Sequence, residues 1–136
     1  MNEKHCVSLE LAKQIQEAGF KKETEFWWTQ HKEQEQNPNY RDCAMVCDKG
    51  TLEMYPSEFW NLYPAPLATE ILEELPFRLR EVDDDYWLWV TKLKHGGYEV
   101  RYRNSNHSRT LKIVQDDSLP NALAKMWLYL HKEPIQ

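Results

Sequence analysis

Hydrophobic positions along this chain switch several times between the spacing of a helix and the spacing of a strand. Apolar residues three and four apart predict amphipathic helices over residues 8–18, 66–75 and 119–131. Alternating or continuous apolar residues predict strands over 24–29, 43–47, 51–55, 86–94, 98–103 and 109–114. The order α-βββ-α-βββ-α predicts an α+β fold, with antiparallel sheet of about six strands, in two three-strand meanders, packed by three helices.

The helix boundaries carry their own signals. Ser8 and Ser118 can cap the first and last helices, and prolines bracket the second, with Pro66 near its start and Pro76 after its end. The side chains expected to face the core share one stripe on each helix. They are Val7, Leu11, Ile15 and Ala18 in the first, Leu67, Ala68, Ile71, Leu72 and Leu75 in the second, and Leu123, Met126, Trp127 and Leu130 in the last.

Turn residues separate the predicted strands. Asp48-Lys49-Gly50 predicts a hairpin turn between strands 43–47 and 51–55, and Gly96-Gly97 predicts a turn after strand 86–94. The polar stretch 30–42, with Asn37-Pro38-Asn39 at its centre, predicts a mobile loop. A length of 136 residues suits a single domain, 1–136.

The segment 86–90 is a predicted strand without a polar face. Alternation places Tyr86, Leu88 and Val90 on one side and Trp87 and Trp89 on the other. If this strand pairs with 98–103, cationic side chains can join the two tryptophans. The candidate binding face is therefore Trp87, Trp89, Arg101, Arg103 and Lys112.

Three interpretations of this face stay open. Aromatic rings interleaved with cations form a stacking platform for single-stranded nucleic acid. The same groups suit an acidic or aromatic protein partner. Alternatively, helices cover the tryptophans, or arginine side chains lie over the rings as cation–π contacts.

Charge is unevenly distributed. The chain carries a net −5, but residues 92–114 hold six lysines and arginines against Glu99 alone. That segment is therefore +5 and the rest of the chain −10, a field that disfavours a polyanion. Three cysteines, an odd number, predict a reducing compartment and a cytoplasmic location. No apolar run approaches the roughly 20 residues of a membrane span, so no membrane partner is expected.

Recognisable chemistry is missing from the sequence. Cys43 and Cys47 lie on one predicted strand, where four residues span roughly 13 Å, too far for a shared zinc ion. The acidic run 83–85 lacks the spacing of a calcium loop, and the serines lack the nucleophile elbow. We therefore predict no catalytic, cofactor or metal residues and expect the protein not to be an enzyme. An enzyme with an unrecognised pocket stays the third alternative.

Three segments together carry a resemblance: Cys6-Val7-Ser8-Leu9-Glu10-Leu11-Ala12, residues 63–70 and residues 118–126. They resemble small proteins of unassigned function carried by bacteriophages, prophages and other bacterial mobile elements. The resemblance implies a bacterial cytoplasm and an accessory role. The sequence therefore favours a non-enzymatic accessory protein that binds a protein partner or forms a homo-oligomer, with single-stranded nucleic-acid binding as the alternative.

Overall fold

The computed structural model describes residues 5–33, 44–81, 84–104, 106 and 108–132. Within these ranges the helices are α1 (Leu9–Glu17), α2 (Ala68–Glu74) and α3 (Leu119–Lys132), with a 3-10 helix at Lys49–Met54. The strands are β1 (Phe26–His31), β2 (Met45–Asp48), β3 (Trp60–Pro64), β4 (Arg78–Arg80), β5 (Asp85–Lys92), β6 (Tyr98–Asn104) and β7 (Thr110–Asp116). The predicted α+β class is confirmed.

The described strands form two antiparallel sheets. The first has the order β2-β1-β3, and the second has the order β4-β5-β6-β7. The antiparallel pairing of 86–94, 98–103 and 109–114 is therefore confirmed. The first sheet is not a sequential meander, because β1 lies at its centre.

The predicted hairpin between 43–47 and 51–55 is wrong. Asp48 caps a 3-10 helix instead, since its carboxylate accepts a hydrogen bond from Thr51 N at 3.0 Å. Gly50 does not adopt the positive φ that a tight hairpin turn requires. The third strand of this sheet is β3, after Pro56, at a segment where no strand was predicted.

The short strand β4 was also missed, and it brings the described strands to seven. It contains only Arg78, Leu79 and Arg80, too few residues for alternation to stand out. It pairs with the start of β5 and so extends the second sheet on that side.

The helix boundaries follow the capping signals. Ser8 caps α1 by accepting a hydrogen bond from Leu11 N at 3.3 Å. The second helix starts at Ala68, later than predicted, and the Glu70 carboxylate accepts from Leu67 N at 2.8 Å. The helix is therefore only seven residues long.

Most of the predicted helix stripes face the core. Those buried are Val7, Leu11, Ile15, Ile71, Leu75, Leu123, Met126 and Trp127, while Ala18, Leu67, Ala68 and Leu130 are half-buried. The prediction for Leu72 is wrong, since it is 42% exposed. Ile71 takes the buried position in this short helix, and the next residue is rotated by about 100° from it.

The predicted loop 30–42 starts too early. Gln30 and His31 are the last residues of β1, where Gln30 pairs with Asn61. Residues 34–43, which include Asn37-Pro38-Asn39, lie outside the described ranges.

One hydrophobic core contains side chains from both described sheets and from α1, α2 and α3. The indole of Trp28 is buried in this core, and its Nε1 donates a hydrogen bond to Val7 O at 2.8 Å. The inner face of the second sheet packs on the same core through Tyr86, Val100, Tyr102 and Val114. Because successive strand residues point to opposite sides, the other face of that sheet points away from the core.

Candidate binding surface

The outer face of the second sheet is the principal candidate site. Register pairs Trp87 with Arg103 and Trp89 with Arg101 across β5 and β6. We call this surface the tryptophan face and define it by Phe77, Arg78, Trp87, Trp89, Arg101, Arg103 and Ile113. Four of the five side chains proposed from the sequence are therefore brought together.

Lys112 does not belong to the tryptophan face. It lies opposite Tyr102, a fully buried residue of the inner face, and its Nζ is 5.0 Å from the centre of the Tyr129 ring on α3. A register shift between Tyr102 and Arg103 accompanies this pairing. The placement of Lys112 beside the two tryptophans is therefore wrong, because the pairing register puts its side chain on the helix side of the sheet.

Large apolar side chains on the tryptophan face are open to solvent. Phe77 is 72% exposed, Ile113 is 47% exposed and Trp89 is 39% exposed, whereas Tyr102 on the inner face is fully buried. Within the described ranges, helices therefore cover one side of this sheet and leave the other open.

Arginine side chains lie across the two indole rings. The Arg103 Cζ atom is 4.3 Å from the centre of the Trp89 ring, and the Arg78 Cζ atom is 5.4 Å from that of Trp87. The Phe77 ring contacts Trp87 with its centre 6.0 Å away. These are cation–π distances, so the arginine cover considered from the sequence is present, although it leaves Trp89 partly exposed.

Two of the arginines on this face are paired with carboxylates. Arg78 contacts Asp85 at 2.6 Å, and Arg101 contacts Glu99. The hydrogen bond from Gln115, followed by that from Arg101, holds the pKa of Glu99 below its usual value despite burial. Within each pair the positive and negative charges cancel, so the two pairs add little net charge to the face.

Arg103 differs from both of its neighbours. Arg78 and Arg101 each form an ion pair, whereas none joins Arg103 to a described carboxylate, and Glu99 attracts it only through a longer-range Coulomb interaction. The Nε atoms of all three arginines are buried without a hydrogen-bond acceptor among the described residues. Stacking on Trp89 holds the guanidinium over the sheet, and a guanidinium is a preferred donor to carboxylates and phosphates. The tryptophan face thus combines exposed apolar area with one cation, Arg103, that forms no ion pair with a described carboxylate.

Three residues of this face were not found by sequence reasoning: Phe77, Arg78 and Ile113. Phe77 and Arg78 belong to the missed strand β4 and its flank. Arg78, Leu79 and Arg80 do alternate, but three residues are too few for that pattern to identify a strand. Ile113 could have been placed only with the strand register, because its neighbour Val114 is the buried one.

A second candidate is a cavity of about 810 Å³ between the first turns of α1 and α3. Its walls include the apolar side chains of Leu9, Trp28 and Leu119. The polar groups at the helix starts are engaged in structural bonds, since Ser8 N donates to Asn121 Oδ1 at 2.8 Å. The size fits a small-molecule pocket, but these polar groups already serve the helix caps.

Cysteine chemistry is limited to two buried thiols in the described residues, Cys6 and Cys47. Burial raises the pKa of Cys47, which keeps it protonated and weakens it as a nucleophile or metal ligand. Cys43 lies outside the described ranges, so the absence of a shared zinc ion stays a prediction. Nowhere in those ranges do three His, Cys, Asp or Glu side chains gather closely enough to hold a metal ion.

None of the described helices is both long and apolar enough to cross a membrane. Comparison with protein-family models, with curated proteins and with solved structures finds no match to this chain.

Proposed function

We propose that this protein is a non-enzymatic accessory protein that binds a protein partner through the tryptophan face. The contact segment of the partner carries apolar and acidic side chains. The observation that carries the proposal is the joint exposure of Phe77, Trp89 and Ile113 on a sheet face that no described helix covers.

The energetic argument begins with apolar area. Exposed apolar patches that are rimmed by polar groups mark interaction sites, and tryptophan and arginine dominate the binding energy of measured interfaces. Trp89 and Arg103 supply one such pair, already stacked at 4.3 Å. Because stacking holds Arg103 in place before binding, less side-chain entropy is lost when a partner carboxylate pairs with it.

The same geometry favours a protein over a nucleic acid. A base stacks on a free ring face, whereas Arg103 already occupies one face of Trp89. Lys112 lies on the other side of the sheet, so it is not available as a phosphate contact on the tryptophan face. The chain outside residues 92–114 carries −10 and repels a polyanion.

The cellular setting belongs to the same proposal. The odd number of cysteines supports a cytoplasmic location. The resemblance to phage and mobile-element proteins supports an accessory role in bacteria.

The test is selection of a displayed random dodecapeptide library on the immobilised full-length protein. We expect enriched sequences that combine aspartate or glutamate with aliphatic or aromatic residues. Trp89→Ala and Arg103→Ala should each weaken the selected peptides by about tenfold or more. The control variants are Met54→Ala, an apolar residue off this face that is 70% exposed, and Lys112→Ala on the opposite side of the sheet.

Each outcome has a defined meaning. The proposal would be overturned if no peptides were enriched, or if the enriched peptides bound Trp89→Ala as tightly as the unaltered protein. Salt-sensitive micromolar binding of single-stranded DNA or RNA, weakened by the same two variants, would establish the nucleic-acid alternative instead. A concentration-dependent dimer in sedimentation velocity that Trp89→Ala dissociates would replace the foreign partner with a second copy.

A further inference from the structure

The edge of β5 leaves a slot beside the tryptophan face. β4 pairs only with the first residues of β5, from Asp85 to Trp87. β5 continues to Lys92, and no described strand lies beside its last residues on that side. The slot is therefore the unpaired edge of β5 at residues 89–92, where β4 would lie if it were longer.

The hydrogen-bond alternation identifies which main-chain groups face the slot. Leu88 N donates to Phe77 O at 2.9 Å, on the β4 side, while Leu93 N donates to Gly97 O at 3.0 Å within the hairpin. In an antiparallel ladder, residues bond alternately to one neighbour and then the other. The N–H and C=O groups of Val90 and Lys92 therefore point into the slot, where no described main-chain group bonds to them.

Around Trp89 and Val90, this edge lacks the protection seen on the outer strands of the same sheet. Edge strands are guarded by shortness or by inward-pointing charges. β4 has three residues, and β7 turns Lys112 inward onto Tyr129. At the slot, by contrast, Trp89 and Val90 are 39% and 42% exposed. Lys92 places one charge at the end of this edge. The part at Trp89 and Val90 is apolar, and an apolar edge is a site where an added strand can pair.

The side chains beside the slot define the chemistry of such a strand. Arg103 starts on β6 but stacks over Trp89, so its guanidinium lies above β5. An added strand lies only about 4.8 Å farther across the sheet. Its residues on the tryptophan face suit carboxylates, while those on the inner face, beside the exposed Val90, suit aliphatic side chains.

The geometry points to strand addition: the partner contributes an extended segment of alternating acidic and aliphatic residues that pairs antiparallel with β5 at Val90 and Lys92. This inference rests on the proposed function and specifies how the partner binds. The acidic side chains lie on the tryptophan face near Arg103, and the aliphatic ones lie on the inner face.

The test uses an octapeptide of alternating glutamate and valine, titrated into the full-length ¹⁵N-labelled protein. We expect amide hydrogen exchange of Val90 and Lys92 to slow by about tenfold at saturation, the effect of one hydrogen bond. Leu88, whose amide is already bonded to Phe77 O, is the internal control. An octapeptide with lysine in place of glutamate should bind more weakly.

Methylation of the peptide separates main-chain from side-chain recognition. Opposite Val90 and Lys92, the inner-face valines point their N–H groups at β5, whereas the glutamate N–H groups point away. N-methylation of the valines should abolish binding, and N-methylation of the glutamates should preserve it.

Protein variants supply the reciprocal test. Val90→Pro removes one slot-facing N–H without removing a bond to β6, so affinity should fall by about tenfold, while Val90→Ala should retain binding. If Val90→Pro does not fold, binding of the two N-methylated peptides alone tests strand addition.

The outcomes distinguish this inference from the proposed function. Binding that Arg103→Ala weakens, but that leaves the exchange of Val90 and Lys92 unchanged, would overturn strand addition and keep the tryptophan face as the contact surface. No binding of the octapeptide, together with acidic peptides from the library that do bind, would also overturn strand addition alone. If neither the octapeptide nor any library peptide bound, strand addition and the proposed function would both be overturned. A dimer that Val90→Pro dissociates would replace the partner strand with β5 of a second copy.

Discussion

Replacing Leu123 with alanine tests the packing of α3 against the rest of the core. Leu123 is fully buried on this helix, among the side chains of the main hydrophobic cluster. The change deletes three carbon groups, which at about 0.8 kcal/mol each gives a transfer cost near 2.4 kcal/mol. A residual cavity adds to this, so the expected loss of unfolding free energy is about 3 kcal/mol, within about 2–5 kcal/mol for such changes.

Leu72→Ala is the matched control for this measurement. It makes the same chemical change on another helix, at a residue that is 42% exposed. Alanine and leucine have similar helix propensities, so neither variant disturbs the helix itself by more than a few tenths of a kcal/mol. The control should therefore cost less than about 1 kcal/mol.

The assay is urea denaturation followed by tryptophan fluorescence and far-UV circular dichroism. The midpoint should fall at unchanged slope, since a changed slope would signal an altered denatured state or loss of two-state behaviour. If Leu123→Ala costs no more than Leu72→Ala, the face of α3 assigned to the core is wrong.

Three further predictions concern a buried hydrogen bond, a titrating carboxylate and a turn. Trp28→Phe should cost about 1–3 kcal/mol in urea denaturation, because it leaves Val7 O buried without its donor; a change below about 0.5 kcal/mol would mean that this bond contributes little. The folded-state pKa of Glu99 lies below its unfolded value, so its stabilisation is present at neutral pH and is lost as pH falls below about 4.3. Glu99→Gln should reduce the pH dependence of the melting temperature in that range. If the melting temperature of the variant fell just as steeply at acid pH, Glu99 would not be the group responsible. Gly97→Ala should destabilise more than Gly96→Ala, although both have positive φ, because only the Gly97 Cβ would meet a main-chain oxygen, at 3.0 Å; equal losses in thermal denaturation would exclude that contact.

Local signals in the sequence were sufficient for the helices and for the pairing of the central strands. Ser8 caps α1 as predicted, because a cap involves only residues within one turn. The Gly96-Gly97 turn adopts positive φ and sets the register of β5 against β6. Alternation then placed Trp87 and Trp89 together, on a face that can also carry Arg101 and Arg103, without any information on the rest of the fold.

The same local reasoning failed where two patterns were equally compatible with the residues. Asp48-Lys49-Gly50 suits both a hairpin turn and a capped 3-10 helix. The 3-10 helix forms where β3, rather than residues 51–55, pairs with β1. That pairing joins strands that are distant in sequence, so local signals did not reveal it. For Leu72, the composition of the helix allowed a wide apolar stripe, but contact with α3 buries only one side of seven residues.

The sequence by itself determined which side chains share a face, because the period of a strand or helix is a property of the local backbone. Only the tertiary structure decided which face is covered. The same alternation along β5–β7 permits the core on either side, and burial of Tyr102 and Val100 under α3 selects one side. Lys112 followed the register onto that inner face, while Arg103, on the outer face, lies over Trp89. The candidate site thus depends on long-range packing, since exposure is a property of what lies opposite a residue and not of the residue itself.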